Sequence, residues 1–326
     1  MNKEISVIQY DPSYKNRWEA FVDDSNNGTI FHKLQFLDYH TPDKFNFHHL
    51  IFMQNDNIVG VLPGGLTNGG EIFWSPVGAS YGSIVTKDLH FHTCLDIVDS
   101  FMDYCKKMNF KDAYLIPPPL IYSHNYSQNL EYAMLYRKFD FELHYISHSI
   151  HLNHTNFLDY FDKTARKNIR KILRKGDLEI KESQDYESFN KILIENKAKH
   201  NVKPTHTLED MIKLKELLPD DIRLLLVYYK NKPIAGSLLF FCNKKVVLCF
   251  YNMLLYEYEN LKPVYLIMYE TVRKAYEEGY QWVDIGVSQD TSAEDPMTPS
   301  LNLIEFKERF DSRGILRSTY HYKFEE

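Results

Sequence analysis

The sequence predicts an α/β (α+β) chain made of two similar modules in tandem. Two observations carry this. A β-hairpin followed by a helix–strand unit occurs twice, in the same order, once in each half of the chain. The chain has 326 residues, 44% of them apolar and 25% charged, which suits two packed cores of ordinary size.

In the first half, helices are predicted near Tyr14–Asp23 and Lys33–Tyr39. The hairpin HLIFMQNDNIVGVLPGG follows, with its turn at Asn55–Asn57. Strands are expected around Ile72–Trp74 and Gly82–Val85, then a helix over His90–Met108 and the strand DAYLI, which stops at Pro117–Pro119. A helix at Leu130–Arg137 and a strand at Phe141–His151 complete this half.

The second half opens with helical stretches at Asn156–Lys175, Tyr186–Lys199 and Leu208–Leu217. Its hairpin, LLLVYYKNKPIAGSLLFF, turns at Lys230–Pro233, and its Ile234-Ala235-Gly236 echoes Ile58-Val59-Gly60. The strand VVLCFYNML, a helix from Pro263 to Glu278 and the strand QWVDIG repeat the earlier order. A strand gives way to an N-capped helix near His151–Thr155, so the expected domains are 1–152 and 153–326.

Composition narrows the function classes. The net charge is −6, which argues against a surface built as a whole for nucleic acid, and DNA is not expected as a partner. The N-terminal segment has no apolar core of a signal peptide, and no apolar run approaches a membrane span. Cys94, Cys105, Cys242 and Cys249 form no CxxC pair and read as small buried residues of a reduced, cytoplasmic protein. The chain has 14 histidines, but His148, His151 and His154 lie on an expected strand, where residues three apart face opposite sides; no metal site is predicted.

Several residues stand out as chemistry. In SLNLIEFKERFDSRG, read as a helix with Ser300 at its start and Gly314 at its end, Phe306, Phe310, Leu303 and Ile304 share one arc at about 100° per residue. Lys307 lies inside that arc, where a lysine must snorkel, pair or do a job. Asp284 ends the strand QWVDIG, a place that either faces a site or caps the next loop. That loop, GVSQDTSAEDPMTPS, is long and polar, either a lid or a disordered segment.

On the helix from Lys163 to Lys175 the basic residues, Arg166 and Arg170 among them, fill one half of the wheel and Ala165, Ile169, Ile172 and Leu173 the other. The basic half is a solvated face, a phosphate-binding surface or a membrane-facing one. In the first half, Ser80, Tyr81 and Gly82 offer two hydroxyls and a close backbone approach, the makings of an acceptor cleft, and Lys33 adds a possible phosphate contact. Tyr251 either faces a ligand or packs in the core. No local Ser-His-Asp or Cys-His arrangement is present.

Four stretches, WSPVGASYGSIV, KTARKNIRKILRKGDLEI, NKPIAGSLLFF and the run from YEEGYQWVDIG to EFKERFDSRG, follow one another over nearly the whole chain. In these stretches and their order the sequence resembles the FemAB/FemX-like branch of the GNAT acyltransferase superfamily. The resemblance implies two tandem GNAT-like domains, each a mixed, mainly antiparallel sheet flanked by helices, with the acceptor side in the first and the acyl-donor side in the second. It implies an N-acyltransferase or aminoacyltransferase that modifies an amine of a cell-envelope precursor of peptidoglycan or polysaccharide. The alternatives are an acyl-CoA-dependent N-acetyltransferase acting on an amino sugar, and a non-catalytic double-GNAT binding module.

By the same resemblance, Phe306-Lys307 matches the family's Phe-Lys pair, with Lys307 stabilising the reacting centre and Asp284 beside it. The expected co-substrate is aminoacyl-tRNA or acyl-CoA, with no tightly bound cofactor. The acceptor would be nucleotide-linked or lipid-linked, with at most peripheral membrane contact. Two departures stand out: there is no coiled-coil arm, and the stretch YENLKPVYLIMYE lacks the Gln/Arg-x-x-Gly-x-Gly/Ala loop that grips pyrophosphate in ordinary GNAT enzymes.

Overall fold

The computed structural model describes residues 4–199 and 202–324. They group into two units. One takes the described residues up to Tyr145 and again from Leu316; the other runs Ile146–Ile315. The division falls inside a strand, ahead of the expected junction at 152/153. The expected second domain ran to residue 326; the tail from Leu316 belongs to the first unit because its strand pairs there.

In chain order the first unit holds β1 (Ile5–Gln9), α1 (Lys15–Asp23), α2 (Leu34–Leu37), β2 (Leu50–Gln54), β3 (Asn57–Leu62), β4 (Gly65–Thr67), β5 (Ile72–Ser75), β6 (Val85–Thr86), α3 (Phe91–Lys107), β7 (Asp112–Leu115) and α4 (Asn129–Tyr136). Strand β8 (Asp140–His151) carries the chain across the division. The predicted hairpin is β2–β3, with Gln54 opposite Asn57 and Asn55 at φ 55° in the turn, a conformation asparagine tolerates. One sheet has the order β1-β2-β3-β6; in a second, β4, β5 and β7 are successive neighbours. The strand expected at Gly82–Val85 shrinks to Val85–Thr86, because Gly82 hydrogen-bonds into a loop instead. The 17-residue α3 buries Cys94, Ile97, Val98, Phe101, Met102 and Cys105 against Phe52, Leu62 and Phe73 of the sheets.

The second unit adds α5 (Lys163–Lys175), β9 (Leu178–Ser183), α6 (Tyr186–Ala198), α7 (Leu208–Leu217), β10 (Ile222–Tyr229), β11 (Lys232–Phe241), β12 (Val246–Leu254), α8 (Pro263–Glu277), β13 (Trp282–Val287) and α9 (Leu301–Glu308). Strand β14 (Arg313–Lys323) leads back, and its residues Tyr320–Lys323 pair with β7 of the first unit. The sheet order in the second unit is β8-β13-β12-β11-β10-β9. All these neighbours are antiparallel except β12 and β13. The β10–β11 turn is the two-residue Lys230-Asn231, both at positive φ, the geometry that matches strand twist.

The stretch expected as one helix from Asn156 is broken. A 3-10 turn, Phe157–Tyr160, precedes α5, which starts after Asp162 because that carboxylate accepts the Ala165 N–H. Gly176, at φ 67°, closes it. Ile150, Ile169, Val247, Ile267, Val272, Val283 and Phe310 lie in the core of this unit.

Two of the irregularities in its sheet bear on the site. Strands β12 and β13 run parallel but pair only from Val246/Trp282 to Leu248/Asp284, although each continues further, so β12 beyond Leu248 has no β13 partner. Between Asp284 and Val287 the register against β8 shifts: Ile285 and Gly286 stand opposite the single residue His148.

Candidate functional site

The bulge in β13 builds the second unit's polar centre. Gly286 takes φ 77°, a value other residues rarely adopt, and its N–H donates to Asp284 Oδ1 at 2.8 Å. The same oxygen accepts the Ser147 hydroxyl of β8 at 2.8 Å. Asp284 is completely buried, so these two donors fasten the bulge from inside the sheet. The bulge in turn aims two carbonyls at α9. Lys307 Nζ donates to Gly286 O at 2.7 Å and to Val287 O at 2.8 Å. An ammonium has three protons, and two are committed here.

Lys307 is 8% exposed, which rules out snorkelling. Burial lowers its pKa from 10.5 to about 8, while the Asp284 carboxylate and Cys249 oppose the fall. Helix α9 is held by Phe306 and, two residues past its end, by Phe310, whose rings meet Tyr265 at 5.9 and 5.6 Å. Phe306 is therefore an aromatic anchor for the turn that carries Lys307. The helix ends at Glu308, and Gly314 lies in β14, so the glycine predicted to stop the helix instead opens a strand. Ser300 occupies the N-cap position without a side-chain bond; its N–H donates to Ser288 O.

That last bond also closes the long loop. Ser288 and Ser300 join its ends, Gln289 bridges Pro299, and Asp290 N–H donates to Thr298 O at 2.8 Å. Asp290 and Asp295 cap its turns. The loop is an ordered excursion with a sealed base. Inside that base, His148 Nδ1 stands 2.9 Å from Ser288 Oγ. Burial pushes the His148 pKa down, and the Lys307 charge adds to the effect. Cys249, on β12 of the same sheet, is pushed up to about 12 by burial and the Asp284 charge.

The structure brings Lys307, Asp284 and the bulge together. Tyr251 goes elsewhere: its hydroxyl meets His206 Nδ1 at 3.1 Å and its ring meets Phe189 of α6. Arg166 folds back, donating to Phe161 O at 3.0 Å with Asp159 3.8 Å away. Arg170 is exposed with Lys163, Lys167, Lys171 and Arg174, and among the described residues none of these five forms an ion pair. The apolar half of α5, Ala165, Ile169 and Ile172, is buried as its periodicity predicts, while Leu173 stays exposed.

In the first unit, Lys33 pairs with Asp23 at 2.7 Å. Tyr81 is buried, its ring set edge-on to Phe31 and Tyr122. Gly82 N–H donates to Ile116 O and its carbonyl accepts from His32 Nε2 at 2.9 Å. His32 is held neutral by burial, at about 4. A Cβ on Gly82 would run into Ser75 Oγ and stand 2.6 Å from Pro76 N, so the glycine makes room for neighbouring backbone. Ser80 O accepts from Arg317 Nη2 at 2.6 Å, and that guanidinium lies 5.0 Å over the Tyr81 ring.

Sequence reasoning missed Ser147, Gly286, Ser288 and Arg317, and weighed His148 only as a metal ligand. Three of them have a signal in retrospect: Ser147 and His148 are polar residues deep within a strand whose neighbour Ile150 is core, and Gly286 follows an aspartate at a strand end. All four cysteines are buried and free. Among the described residues no group of three or more His, Cys, Asp or Glu side chains is placed to hold a metal ion. No helix of the described residues is long and apolar enough to cross a membrane.

Comparison with known proteins fits this geometry. Residues 161–295 match the family described as acetyltransferase (GNAT) domain. The fold is similar to that of FemX, with TM-score 0.72 and 12% identity over 98% of this chain and 97% of that one. It is similar to the C-terminal domain of a putative lysylphosphatidylglycerol synthetase from Agrobacterium fabrum, with TM-score 0.61 and 11% identity over 95% and 91%. It is also similar to a tandem GNAT protein from the clavulanic acid biosynthesis pathway, with TM-score 0.55 and 8% identity over 98% of each chain. No curated protein gives a significant sequence match. Residues 161–295 thus match the acetyltransferase (GNAT) domain family, and the chain has a FemX-like two-domain GNAT fold.

Proposed function

We propose that this protein is a cytoplasmic N-acyltransferase or aminoacyltransferase that moves an acyl group to an amine of a cell-envelope precursor. The observation that carries the reading is Lys307: a buried ammonium with two protons held by backbone carbonyls and one left over. Acyl transfer to an amine forms a tetrahedral centre with an oxyanion. A fixed cation at that oxygen, already desolvated by the fold, stabilises it by several kcal/mol. On this reading Lys307 is the catalytic residue. Asp284 is a positioning residue that acts through the bulge, and Phe306 positions the helix.

The acyl donor, aminoacyl-tRNA or acyl-CoA, is assigned to the second unit and the acceptor to the first, where Lys33, Ser80, Tyr81 and Gly82 are the proposed acceptor side. The unpaired basic face of α5, with Arg170 at its centre and Arg166 at its margin, is proposed to meet donor phosphates. The fold likeness to FemX and to a lysylphosphatidylglycerol synthetase domain supports the envelope assignment.

A second reading, an acyl-CoA-dependent N-acetyltransferase acting on an amino sugar, is favoured by one observation. Strand β12 past Leu248 has no β13 partner, which leaves a backbone edge able to hydrogen-bond an extended donor arm. The test offers the purified protein acetyl-CoA and aminoacyl-tRNA in turn, each with UDP-linked amino-sugar acceptors, and identifies products by mass. Transfer from aminoacyl-tRNA supports the first reading. Transfer from acetyl-CoA alone supports the second. Binding of acceptor without transfer from either donor would leave a binding module and refute both.

A further inference from the structure

The centre around Lys307 supplies a cation for the oxyanion, but neither Lys307 nor Asp284 is free to take the proton that the attacking amine must lose. Lys307 has two protons engaged by carbonyls and stands charged below about 8. Asp284 Oδ1 is occupied by Ser147 and Gly286 in the sheet interior.

His148 is placed differently. It is the β8 residue opposite the bulge, so it faces Gly286, one of the two residues whose carbonyls hold Lys307; the other, Val287, pairs with the adjacent Ser147. Its ring is 1% exposed and is fixed at Nδ1 by Ser288 Oγ. Nε2 has no hydrogen-bond partner among the described residues, and it is not among the fully sealed, unpartnered polar atoms, so the trace of exposure the residue keeps reaches this nitrogen. On β14 the nearest residue is Gly314: a Cβ there would stand 3.9 Å from Nε2, and Ile146 Cδ1 fills that space at 2.5 Å, so no β14 side chain covers the ring.

The charged groups that face the ring come from two elements. Lys307 and Glu308 lie on α9, and Asp284 lies on β13. Burial and Lys307 disfavour the imidazolium, Glu308 and Asp284 favour it, and the first pair prevails, so the ring is neutral near pH 7.

We infer that His148 is the base of the acyl transfer, with Nδ1–H donating to Ser288 Oγ and Nε2 taking the proton of the acceptor amine. This rests on the acyl-transfer reading of Lys307. As the amine nitrogen bonds to the acyl carbon, its proton passes to Nε2 and the carbonyl electron pair moves to the oxygen facing Lys307. When the carbonyl re-forms, the bond from carbon to the donor sulfur or oxygen breaks, and Nε2–H returns the proton to that leaving atom. No other reactant is needed.

Two measurements test it. In the wild-type protein, long-range ¹⁵N–¹H NMR of the His148 ring reads the tautomer without any substrate. A proton on Nδ1 and a bare Nε2 are expected; a proton on Nε2 at neutral pH overturns the inference. In the transfer assay, with whichever of acetyl-CoA or aminoacyl-tRNA the wild type uses, His148→Gln keeps a side chain able to bond Ser288. It is expected to lower kcat by roughly 100-fold or more, the usual range for a lost general base, with donor KM little changed and the acid limb of the pH profile gone. His148→Gln activity within about threefold of wild type, with the acid limb intact, overturns the inference and leaves the acyl-transfer reading standing. A wild type that transfers from neither donor refutes that reading, and this inference with it.

Discussion

The Lys307 ammonium is fastened to the Gly286 carbonyl at 2.7 Å, and Gly286 presents that carbonyl because a β-bulge turns it out of the ladder. One local departure from strand geometry therefore fixes the one lysine that the periodicity of its helix cannot account for. A carbonyl lost to the β8–β13 pairing gains a charged donor, and a buried charge gains two acceptors.

Stability depends on pH through Lys307. Its folded pKa, about 8, lies below the ordinary 10.5, so at neutral pH the lysine is charged in both states and the fold bears the desolvation cost. The unfolded chain binds more protons between those two values, so folding gains as pH rises through them. Relative to Lys307→Met, the wild type should gain roughly 3 kcal/mol between pH below 8 and pH above 10.5, read from denaturant unfolding of both proteins. A difference that does not change with pH contradicts the buried ammonium.

Asp284→Asn removes a charge that favours the protonated lysine. The Lys307 pKa should fall below its value of about 8, moving the alkaline limb of the activity profile to lower pH. The amide also weakens the bonds from Ser147 and Gly286, so a lower melting temperature is expected as well.

Gly82→Ala should destabilise the first unit by about 1–3 kcal/mol, the range for overpacking, since its methyl would meet Ser75 and Pro76. Gly176→Ala meets no atom within 4 Å but must hold φ 67° at the end of α5, so about 1 kcal/mol is expected from backbone conformation alone. Thermal melts of the two variants distinguish crowding from conformation: the Gly82 variant should lose more.

Arg170→Glu places a negative charge in the unpaired basic face without disturbing a described contact. The melting temperature should change little, while binding to a phosphate-rich donor weakens and its salt dependence becomes shallower. Isothermal titration at two salt concentrations measures both. Unchanged binding would return this face of α5 to the status of a solvated surface.

Different parts of the molecule were legible in the sequence to different depths. The hairpins were legible because their turns carry Asn-Asp and Lys-Asn between β-rich runs, and both form where expected. The α5 wheel was legible because thirteen residues give periodicity room to show. Lys307 announced itself by sitting on the wrong arc. What it bonds to did not, since its partners are backbone carbonyls and any residue has those. The extent of α9 was misjudged because Gly314 reads as a helix stop, whereas β14 starts at Arg313 and draws the glycine into a strand over Ile146. His148 was hidden by distance: Ser288 lies far along the chain, and only the sheet register brings them together.

Lys307 as the cation of an acyl transfer is the claim on which the proposed function depends. The direct measurement is single-turnover acyl transfer by wild type and Lys307→Met under the same donor and acceptor, with donor binding measured in parallel. The expected result is a rate at least ~100-fold lower in the variant, as for loss of an oxyanion donor, with donor affinity preserved. A variant that transfers at the wild-type rate would contradict it.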